Sequence, residues 1–275
     1  MLYIVSTPIG NLSDFSFRAV ETLKSVDYIL CEDTRHSGVL LRHYEIDKPL
    51  VSYHKFSEAK SKHQIINDLK EGQTIALISD AGTPCICDPG QELVALCQQE
   101  DLPLTPIPGC CAITAAFASS GFVSNGFCFL GFFPKKGKEQ KEKLLQAYYN
   151  QVPTIFYETP HRLEKTVEIF EQAFPEREIF LAKEITKKFE RFVKATPKKL
   201  LEKLQTFPLK GEYLLIVDAQ NKLTEDFGMD ILEHVAFIEK TFQLETKEAI
   251  KSVCLLRGLS KKEVYQKVED GKQTL

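Results

Sequence analysis

Short hydrophobic runs alternate with amphipathic stretches along the first hundred residues. Runs rich in β-branched and aromatic residues are typical of strands, and apolar positions at helical spacing indicate helices. The pattern predicts strands over 2–6, 28–31, 50–53 and 74–78, and helices over 15–26, 57–69 and 91–97. The run from Ile75 to Ile78 contains no polar residue, as expected for a strand that is buried on both faces. The first part of the chain therefore predicts a parallel sheet covered by helices.

A Pro-rich segment from Leu102 to Pro108 is expected to close this first unit, and a second alternation follows it. It predicts further elements over 127–130, 139–149, 153–157, 160–174, 178–182, 198–204 and 212–217. Beyond Gln220 no run is strand-like, and short helices are expected over 230–240, 247–256 and 261–268, with Ser260 and Glu263 at the start of the last. The fold class is α/β, with an N-terminal α/β domain over 1–110, a C-terminal α/β domain over 111–220 and a helical appendix over 221–275.

Composition fits a globular protein of 275 residues. Hydrophobic residues make up 43% and charged residues 27%, and the net charge is −3, which excludes a disordered or strongly basic chain. Residues 1–10 lack a basic segment, and prolines and glycines interrupt the uncharged stretch 102–134 well before about 20 residues. We expect a cytoplasmic protein without a membrane segment.

The eight cysteines predict neither a disulfide framework nor a metal site. They lie in or beside apolar runs, and no pair has the CxxC spacing of a zinc site. Cys85 and Cys87 are two apart, Cys110 and Cys111 are adjacent, and the six histidines form no HExxH pattern. We expect no metal.

Charge is distributed unevenly along the chain. The net charge is −6 over residues 1–133, +5 over 134–222 and −2 over 223–275. A basic middle segment suits a polyanionic substrate, although a solvated surface is the more common reason for such a bias.

Three loops rich in glycine, proline and small residues follow predicted strands, at 7–12, 79–90 and 107–112. Any one of them could be an ordinary turn. Three in one half favour a site, because glycine lets a ligand approach the backbone and ligands of open α/β sheets bind beyond the carboxyl ends of strands. None contains a Walker or GxGxxG motif, so a nucleoside triphosphate and NAD are poor candidates.

Three polar clusters also follow strands, at 32–35, 158–162 and 183–187. Each could simply begin a helix, since Asp33, Thr34 and Thr159 are suitable N-cap residues and Pro160 suits a first helical turn. Their recurrence favours a functional site.

Several motifs taken together resemble one family. They are TPIGNLSDFSFRAVETL, CEDTRHSGVLL, SDAGTPCICDPG, PIPGCCAITAAFASSG, FLGFFPKK, YETPHRL, KEITKKFE and KGEYLLIV, spread over residues 2–217. The chain resembles the ribosomal RNA small subunit methyltransferase I family, a branch of the tetrapyrrole methylase-like class III methyltransferases. The helical tail resembles the C-terminal segment of that family.

The resemblance implies a homodimeric cytoplasmic enzyme that uses S-adenosylmethionine (SAM), without a metal. It would methylate the ribose 2′-hydroxyl of a cytidine in small-subunit (16S) ribosomal RNA, near the decoding centre. Two α/β/α halves would enclose a cofactor cleft. The residues implied to bind SAM are Pro8, Gly10, Asp80, Ala81, Gly82, Thr83, Pro84, Gly109, Cys111, Ala112, Tyr157, Glu158 and Ala195.

The chain departs from the family pattern at residues 54–58, at Lys183 where an arginine is usual, at 195–197, and at Cys87 and Cys110. These departures affect contacts to RNA more than cofactor binding, because lysine keeps the charge of arginine without its forked geometry.

The acceptor oxygen needs a proton acceptor and a nearby cation, which Glu32, Glu158, Arg162 and Lys187 could help to supply. We expect Asp33, Arg35, Lys183 and Glu184 to be the catalytic residues; alternatively, these charges only pair with one another. Positive side chains in the second half are expected to contact RNA, namely Lys135, Lys136, Lys138, Lys141 and Arg162.

Two other functions remain open. One is methylation of a tetrapyrrole or another small acceptor on the same scaffold. The other is SAM sensing or RNA binding without catalysis, which detection of methyl transfer would exclude.

Overall fold

The computed structural model describes residues 1–54, 58–206, 208–219 and 227–273. The chain divides into two compact units. The first comprises residues 1–116 together with 184–190, and the second comprises 117–183 and 191–275.

The first unit is built on a five-stranded parallel sheet in the order β3-β2-β4-β1-β5. Its strands are β1 (Leu2–Val5), β2 (Tyr28–Cys31), β3 (Leu50–Ser52), β4 (Ile75–Ile78) and β5 (Leu104–Ile107). Its helices are α1 (Phe17–Ser25), α2 (Thr34–His43), α3 (Glu58–Lys70) and α4 (Gln91–Gln99), and α5 (Ala112–Ser120) begins in it. A short 3₁₀ helix spans Leu12–Asp14.

Both faces of this sheet are buried, as the apolar runs predict. One face packs with α1 and α2 through Val5, Ile29 and Leu23, among others. The other packs with α3 and α4, where Leu77 meets Leu93 and its neighbours. The expected α/β/α layering is confirmed for the first unit.

The Pro-rich segment 102–108 is more than a closing loop, because it contains strand β5. Pro106 is tolerated there since β5 lies at the edge of the sheet, where a missing N–H breaks no central ladder. Helix α5 and a later strand, β9, were not predicted, because polar or small residues mask their periodicity, and of α2 only a possible start at Asp33 or Thr34 was predicted. The predicted start of α3, Ser57, lies outside the described residues.

The second unit contains a mixed five-stranded sheet in the order β6-β7-β10-β8-β9. The strands are β6 (Cys128–Phe132), β7 (Thr154–Glu158), β8 (Ile179–Lys183), β9 (Arg191–Ala195) and β10 (Tyr213–Val217). The neighbours β6 and β7 pair in parallel, whereas β10 pairs antiparallel with both β7 and β8, and β9 pairs antiparallel with β8.

Six helices are described in the second unit in addition to the end of α5. They are α6 (Gly137–Tyr149), α7 (Pro160–Ala173), α8 (Pro197–Leu204), α9 (Ile231–Phe242), α10 (Thr246–Arg257) and α11 (Lys261–Gln273). The last three confirm the predicted helical tail. Ser260 and Glu263 form the predicted capping box, with Glu263 N donating to Ser260 Oγ at 3.3 Å and Ser260 N to Glu263 Oε2 at 2.9 Å.

The helical tail shares the hydrophobic core of the second sheet. Val235, Ile250 and Val264, one from each tail helix, belong to the same buried cluster as Phe156 and Phe170. A buried polar chain also ties the tail to α6: Arg257 Nε donates to Nδ1 of His234 at 2.8 Å, and Nε2 of His234 lies 2.8 Å from the hydroxyl of Tyr149. The tail is therefore an integral part of the second unit.

Candidate functional site

Four of the loops that the sequence analysis singled out lie along one edge of the first sheet. The strands β2, β4, β1 and β5 are neighbours in that order and all run in the same direction. Their carboxyl ends therefore meet at one edge, where the segments 32–35, 79–84, 6–10 and 108–112 follow them. Gly10, Ala81 and Gly109 expose their backbone there.

Hydrogen bonds fasten the loop after β1 to the loop after β4. Thr7 and Gly82 form an isolated bridge, with N···O distances of 2.9 and 3.1 Å. The buried hydroxyl of Thr7 also donates to the carbonyl of Ser79 at 3.1 Å, and the hydroxyl of Ser79 donates to the carbonyl of Gly82 at 3.0 Å. The shape of these two loops is thus fixed by their own backbone groups and by the hydroxyls of Thr7 and Ser79.

A second connection reaches the loop after β5. The hydroxyl oxygens of Ser6 and Thr83 are 3.0 Å apart, and the hydroxyl of Thr83 donates to the carbonyl of Cys110 at 3.0 Å. The thiol of Cys110 is 3.3 Å from the carbonyl oxygen of Asp14. Three successive loops are therefore joined by side-chain hydroxyls.

The glycines of these loops permit close approach of one loop to another. A Cβ on Gly109 would lie 2.9 Å from Cβ of Ser6, closer than side chains pack. A Cβ on Gly82 would lie 3.2 Å from Cγ2 of Ile9, and φ of Gly82 is +86°, in the region that favours glycine. Both glycines are required by the packing of the loops themselves.

Acidic side chains lie in the loops that follow β2 and β4, at the carboxyl ends of these two strands. Oδ1 of Asp80 accepts a hydrogen bond from N of Asp33 at 3.3 Å. Burial, together with the negative charges of Glu32 and Asp80, raises the pKa of Asp88 to about 6. An open cavity of about 600 Å³ is lined by Glu32, Asp33, Thr34, Arg35, Ser52, His54 and Asp80. This end of the edge favours a positively charged ligand group.

Asp33 and Arg35 form a two-point ion pair at the start of α2. Arg35 Nε donates to Asp33 Oδ1 at 3.1 Å and Nη2 donates to Oδ2 at 2.9 Å, while Asp33 also caps the helix. The hydrogen bonds from Arg35 hold the pKa of Asp33 at about 2. The Arg35 side chain is 90% exposed. The two alternatives to a catalytic role for Asp33, a helix cap and a partner of a cation, therefore occur together, and the guanidinium faces solvent.

Lys183 and Glu184, which are adjacent in sequence, have different partners. The Lys183 side chain is buried and donates to the carbonyl oxygen of Pro208 at 2.9 Å. Glu184 pairs with Lys187, with 3.2 Å between Oε1 and Nζ.

Tyr157, Glu158 and Ala195 lie at strand ends of the second unit. The carboxylate of Glu158 is fully buried and accepts from Arg162 Nη1 at 3.2 Å, Thr159 N at 2.7 Å and Thr166 Oγ1 at 2.6 Å. Its side chain is thus fully engaged within the second unit.

The five residues expected to contact RNA differ in their surroundings. Arg162 donates to the carbonyl of Phe133 at 2.6 Å as well as pairing with Glu158. Lys138 lies 3.3 Å from Glu248, and Lys141 donates to the carbonyl of Gln243. The exposed side chains of Lys135 and Lys136 make no hydrogen bond or ion pair within the part of the chain that the structure describes.

Comparison with known proteins decides the family. Residues 1–201 match the family described as tetrapyrrole (corrin/porphyrin) methylases. The ribosomal RNA small subunit methyltransferase I of Haemophilus influenzae is 42% identical over 271 residues, which cover 97% of this chain and 95% of the relative. That of Bacillus subtilis is 41% identical over 272 residues, covering 96% and 92%. The chain belongs to the ribosomal RNA small subunit methyltransferase I family.

Two solved structures have the same fold as this small subunit methyltransferase I chain. Diphthine synthase superposes with a TM-score of 0.63 at 11% identity, over 80% of this chain and 90% of its own length. Uroporphyrin-III-C-methyltransferase from Thermus thermophilus superposes with a TM-score of 0.55 at 19% identity, over 79% of this chain and 93% of its own. The identity to the two curated relatives confirms the resemblance of the motifs to this methyltransferase family, and the two superpositions confirm the fold.

In this small subunit methyltransferase I chain, sequence reasoning missed Ser6 and Asp88 as members of the site and gave Lys187 no specific contact. Ser6 belongs to the hydroxyl connection, Asp88 to the acidic end of the edge, and Lys187, considered only as one of several charges, contacts the loop after β1. Asp88 was present in the quoted motif SDAGTPCICDPG, so its position after a predicted strand was the available signal.

Neither a metal-binding cluster nor a membrane-spanning helix is found in the residues that the structure describes. Residues 1–54, 58–206, 208–219 and 227–273 contain no group of three or more His, Cys, Asp or Glu side chains that could hold a metal ion. Within the same ranges, no helix combines the length and the apolar character needed to cross a bilayer.

Proposed function

We propose that this methyltransferase transfers the methyl group of SAM to the ribose 2′-hydroxyl of a cytidine in small-subunit (16S) ribosomal RNA, near the decoding centre. The names of its relatives supply the substrate class. The observation that carries the proposal is the set of three loops joined at the carboxyl edge of the first sheet, because such a rigid edge can hold a cofactor through backbone groups.

The residues of this edge fit SAM. The exposed backbone at Gly10, Ala81 and Gly109 offers amide and carbonyl groups, and the carboxylates near Asp80 suit the positive sulfonium and amino groups. We assign cofactor binding to Pro8, Gly10, Asp80, Ala81, Gly82, Thr83, Pro84, Gly109, Cys111 and Ala112. For Tyr157, Glu158 and Ala195 we propose that any contact with SAM is through the backbone, since the Glu158 carboxylate is already engaged.

SAM supplies an electrophilic methyl group when it is bound. The protein must then align the acceptor oxygen and remove its proton. We propose Glu184 as the proton acceptor, because a carboxylate with a pKa of about 2, such as that of Asp33, is too weak a base. Asp33 then orients Arg35, whose exposed guanidinium is free to meet an RNA phosphate on its outer side. Lys183 holds the end of β8, from which Glu184 continues.

We propose that the enzyme acts in the cytoplasm as a homodimer, on ribosomal RNA or on the assembled small subunit. Lys135 and Lys136 offer ammonium groups to phosphates. Lys138, Lys141 and Arg162 already bond to protein groups, so we expect weaker contributions from them.

The experiment is methylation of small ribosomal subunits and of naked 16S RNA from cells lacking this protein. SAM with a labelled methyl group is added, and the RNA is digested and separated by mass spectrometry. Label in 2′-O-methylcytidine at one position is the expected result. Label on a base, or methylation of a tetrapyrrole with none in RNA, would contradict the proposal.

The cofactor site is tested separately with Gly109→Val and Gly82→Val, which add atoms where the loops touch. SAM binding is measured by calorimetric titration, and we expect it to be lost in both variants while they stay folded. Gly126→Val is the matched control, because no atom lies within 4 Å of a Cβ there. Undiminished affinity of both folded valine variants would show that these loops are only turns.

A further inference from the structure

The segment Glu184–Glu190 belongs to the first unit although the strands on either side of it belong to the second. It is folded tightly, with Lys187 N donating to the carbonyl of Glu184 at 2.9 Å and Thr186 N donating to Oε2 of Glu190 at 2.7 Å. Glu184 and Thr186 have positive φ values of 50° and 67°. Thr186 is β-branched, so its left-handed backbone is strained, at a cost on the order of 1–3 kcal/mol. Strain of this kind clusters at functional sites.

Lys187 lies directly against the loop after β1. A Cβ on Gly10 would be 2.4 Å from Cγ and 2.9 Å from Cε of Lys187, so the methylene chain of the lysine crosses the face of this glycine. The Lys187 side chain is 27% exposed, and its ammonium pairs with Glu184. A positive charge is thereby held beside a loop that we assign to SAM.

The neighbouring lysines are less suited to that place. The amine of Lys183 is buried, donates to Pro208 and lies 5.7 Å from the centre of the Tyr213 ring. Lys188 lies 5.7 Å from the centre of the exposed Phe189 ring. The side chain of Lys187, by contrast, contacts Gly10 in a loop that we assign to SAM.

We propose that Lys187 is a catalytic residue whose ammonium group stabilises the acceptor oxygen during methyl transfer, and that Gly10 is glycine to let it pass. The inference rests on the proposed function. As the proton of the 2′-hydroxyl passes to Glu184, a lone pair of the oxygen forms the bond to the methyl carbon. The carbon–sulfur bond breaks and its electron pair returns to sulfur, which leaves the neutral thioether. Lys187 keeps its protons and balances the negative charge that develops on the oxygen.

The test is single-turnover methylation at saturating SAM and RNA. Lys187→Met keeps the stem that lies on Gly10 and removes the charge, and we expect the rate to fall about 100-fold. SAM affinity, measured by calorimetry, should remain within about twofold of the wild-type value. Lys187→Arg restores a cation and should recover most of the rate. Lys188→Met is the matched control on the same segment, with an expected rate near that of the wild type.

The outcomes separate this inference from the proposed function. If the wild-type protein forms 2′-O-methylcytidine and Lys187→Met does so at an undiminished rate, the role of Lys187 is wrong and the proposed function stands. Loss of SAM binding together with the rate in Lys187→Met would show a structural role and also overturn the inference. If the wild-type protein forms no ribose methyl group, both fall.

Discussion

The hydroxyl group of Ser6 donates its hydrogen bond to the hydroxyl oxygen of Thr83, 3.0 Å away. The direction of this hydrogen bond follows from the second bond of Thr83, to the carbonyl of Cys110. The single hydroxyl proton of Thr83 is donated to the carbonyl of Cys110, which can only accept. Ser6 must therefore be the donor, and the side chain of Thr83 bonds to both of the other loops.

Replacing Thr83 with valine should loosen the three loops together. Valine has the shape of threonine but lacks the oxygen, so both bonds are lost and the partly buried Ser6 hydroxyl and Cys110 carbonyl lose their partner. We expect a loss of about 1–3 kcal/mol in the free energy of unfolding, measured by urea denaturation, and weaker SAM binding. Thr83→Ser keeps the hydroxyl and should keep both properties. A Thr83→Val protein with wild-type SAM affinity would show that the connection does not shape the cofactor site.

Asp88 should make the protein less stable as the pH rises through 6. Its pKa is about 6 in the folded protein and near 3.8 when it is exposed, so the folded state binds more protons between these values. The stabilisation is complete below pH 3.8 and is lost as Asp88 ionises. Asp88→Asn removes the charge beside Glu32 and Asp80 and should raise the free energy of unfolding at pH 7.5 by about 1–2 kcal/mol, less than the full pKa shift because Asp88 is partly exposed.

The measurement is a series of urea denaturations of wild type and Asp88→Asn between pH 4.5 and 8. The difference between the two proteins should grow as the pH rises. Asp101→Asn is a control at an exposed turn of the same unit. A difference that is constant over this range would contradict the raised pKa.

His234 should remain neutral in the folded protein at all but acidic pH. Burial lowers its pKa to about 4, with the positive charge of Arg257 as the second cause. Because the arginine donates to Nδ1, the proton of the neutral ring is on Nε2 and is donated to the Tyr149 hydroxyl. The unfolded chain takes up a proton near pH 6.5, so the stabilisation is complete above that value and is lost as the pH falls towards 4.

As the pH falls from 6.5 towards 4, the free energy of unfolding should decrease by about 3 kcal/mol from the protonation of His234 alone. The ring signal of His234 in heteronuclear NMR should show the Nε2-protonated tautomer and no titration above pH 5. Arg257→Gln keeps a donor and removes the charge, and we expect the pKa of His234 to rise in it. A ring that titrates near 6.5 in the wild-type protein would rule out this account of the buried chain.

Lys135 and Lys136 should account for more of the salt dependence of RNA binding than Lys138 and Lys141. The former pair is exposed and makes no bond within the described residues, whereas the latter bonds to Glu248 and Gln243. Filter binding of RNA over a range of salt concentrations measures the slope of log K against log salt. Lys135→Ala with Lys136→Ala should reduce the slope by about 1 to 2. Lys138→Ala with Lys141→Ala is the comparison, and an equal effect of both pairs would contradict the expectation.

The buried strands were predictable because their pattern is local. The run Ile75–Ile78 is short and entirely apolar, which is enough to predict a buried strand. In the structure it is the central strand of the first sheet. The direction of the strands in the second unit was not predictable. An apolar run such as Tyr213–Val217 suits a buried strand whether its neighbours are parallel or antiparallel. Likewise β5 was read as a loop, because proline is compatible with a strand only at an edge, and edges are set by tertiary structure.

The candidate site shows the same division. The loops could be found from sequence because they follow strands, and parallel strands bring their ends together. What each charged side chain bonds to could not be found. Lys183 and Lys187 are four residues apart in one motif, yet one donates to Pro208 and the other lies on Gly10. That difference depends on the positive φ values of Glu184 and Thr186, for which sequence gives no signal when the residues are not glycine.

The contact between Gly10 and Lys187 joins two positions that are far apart in the chain, and it has an evolutionary consequence. Any side chain at position 10 collides with the stem of a long residue at position 187. The two positions can therefore not drift independently: a lineage that acquires alanine at 10 must first have shortened or redirected residue 187. We expect an alignment of many relatives to show these two columns as a coupled pair, with glycine at the first wherever a long cation occupies the second.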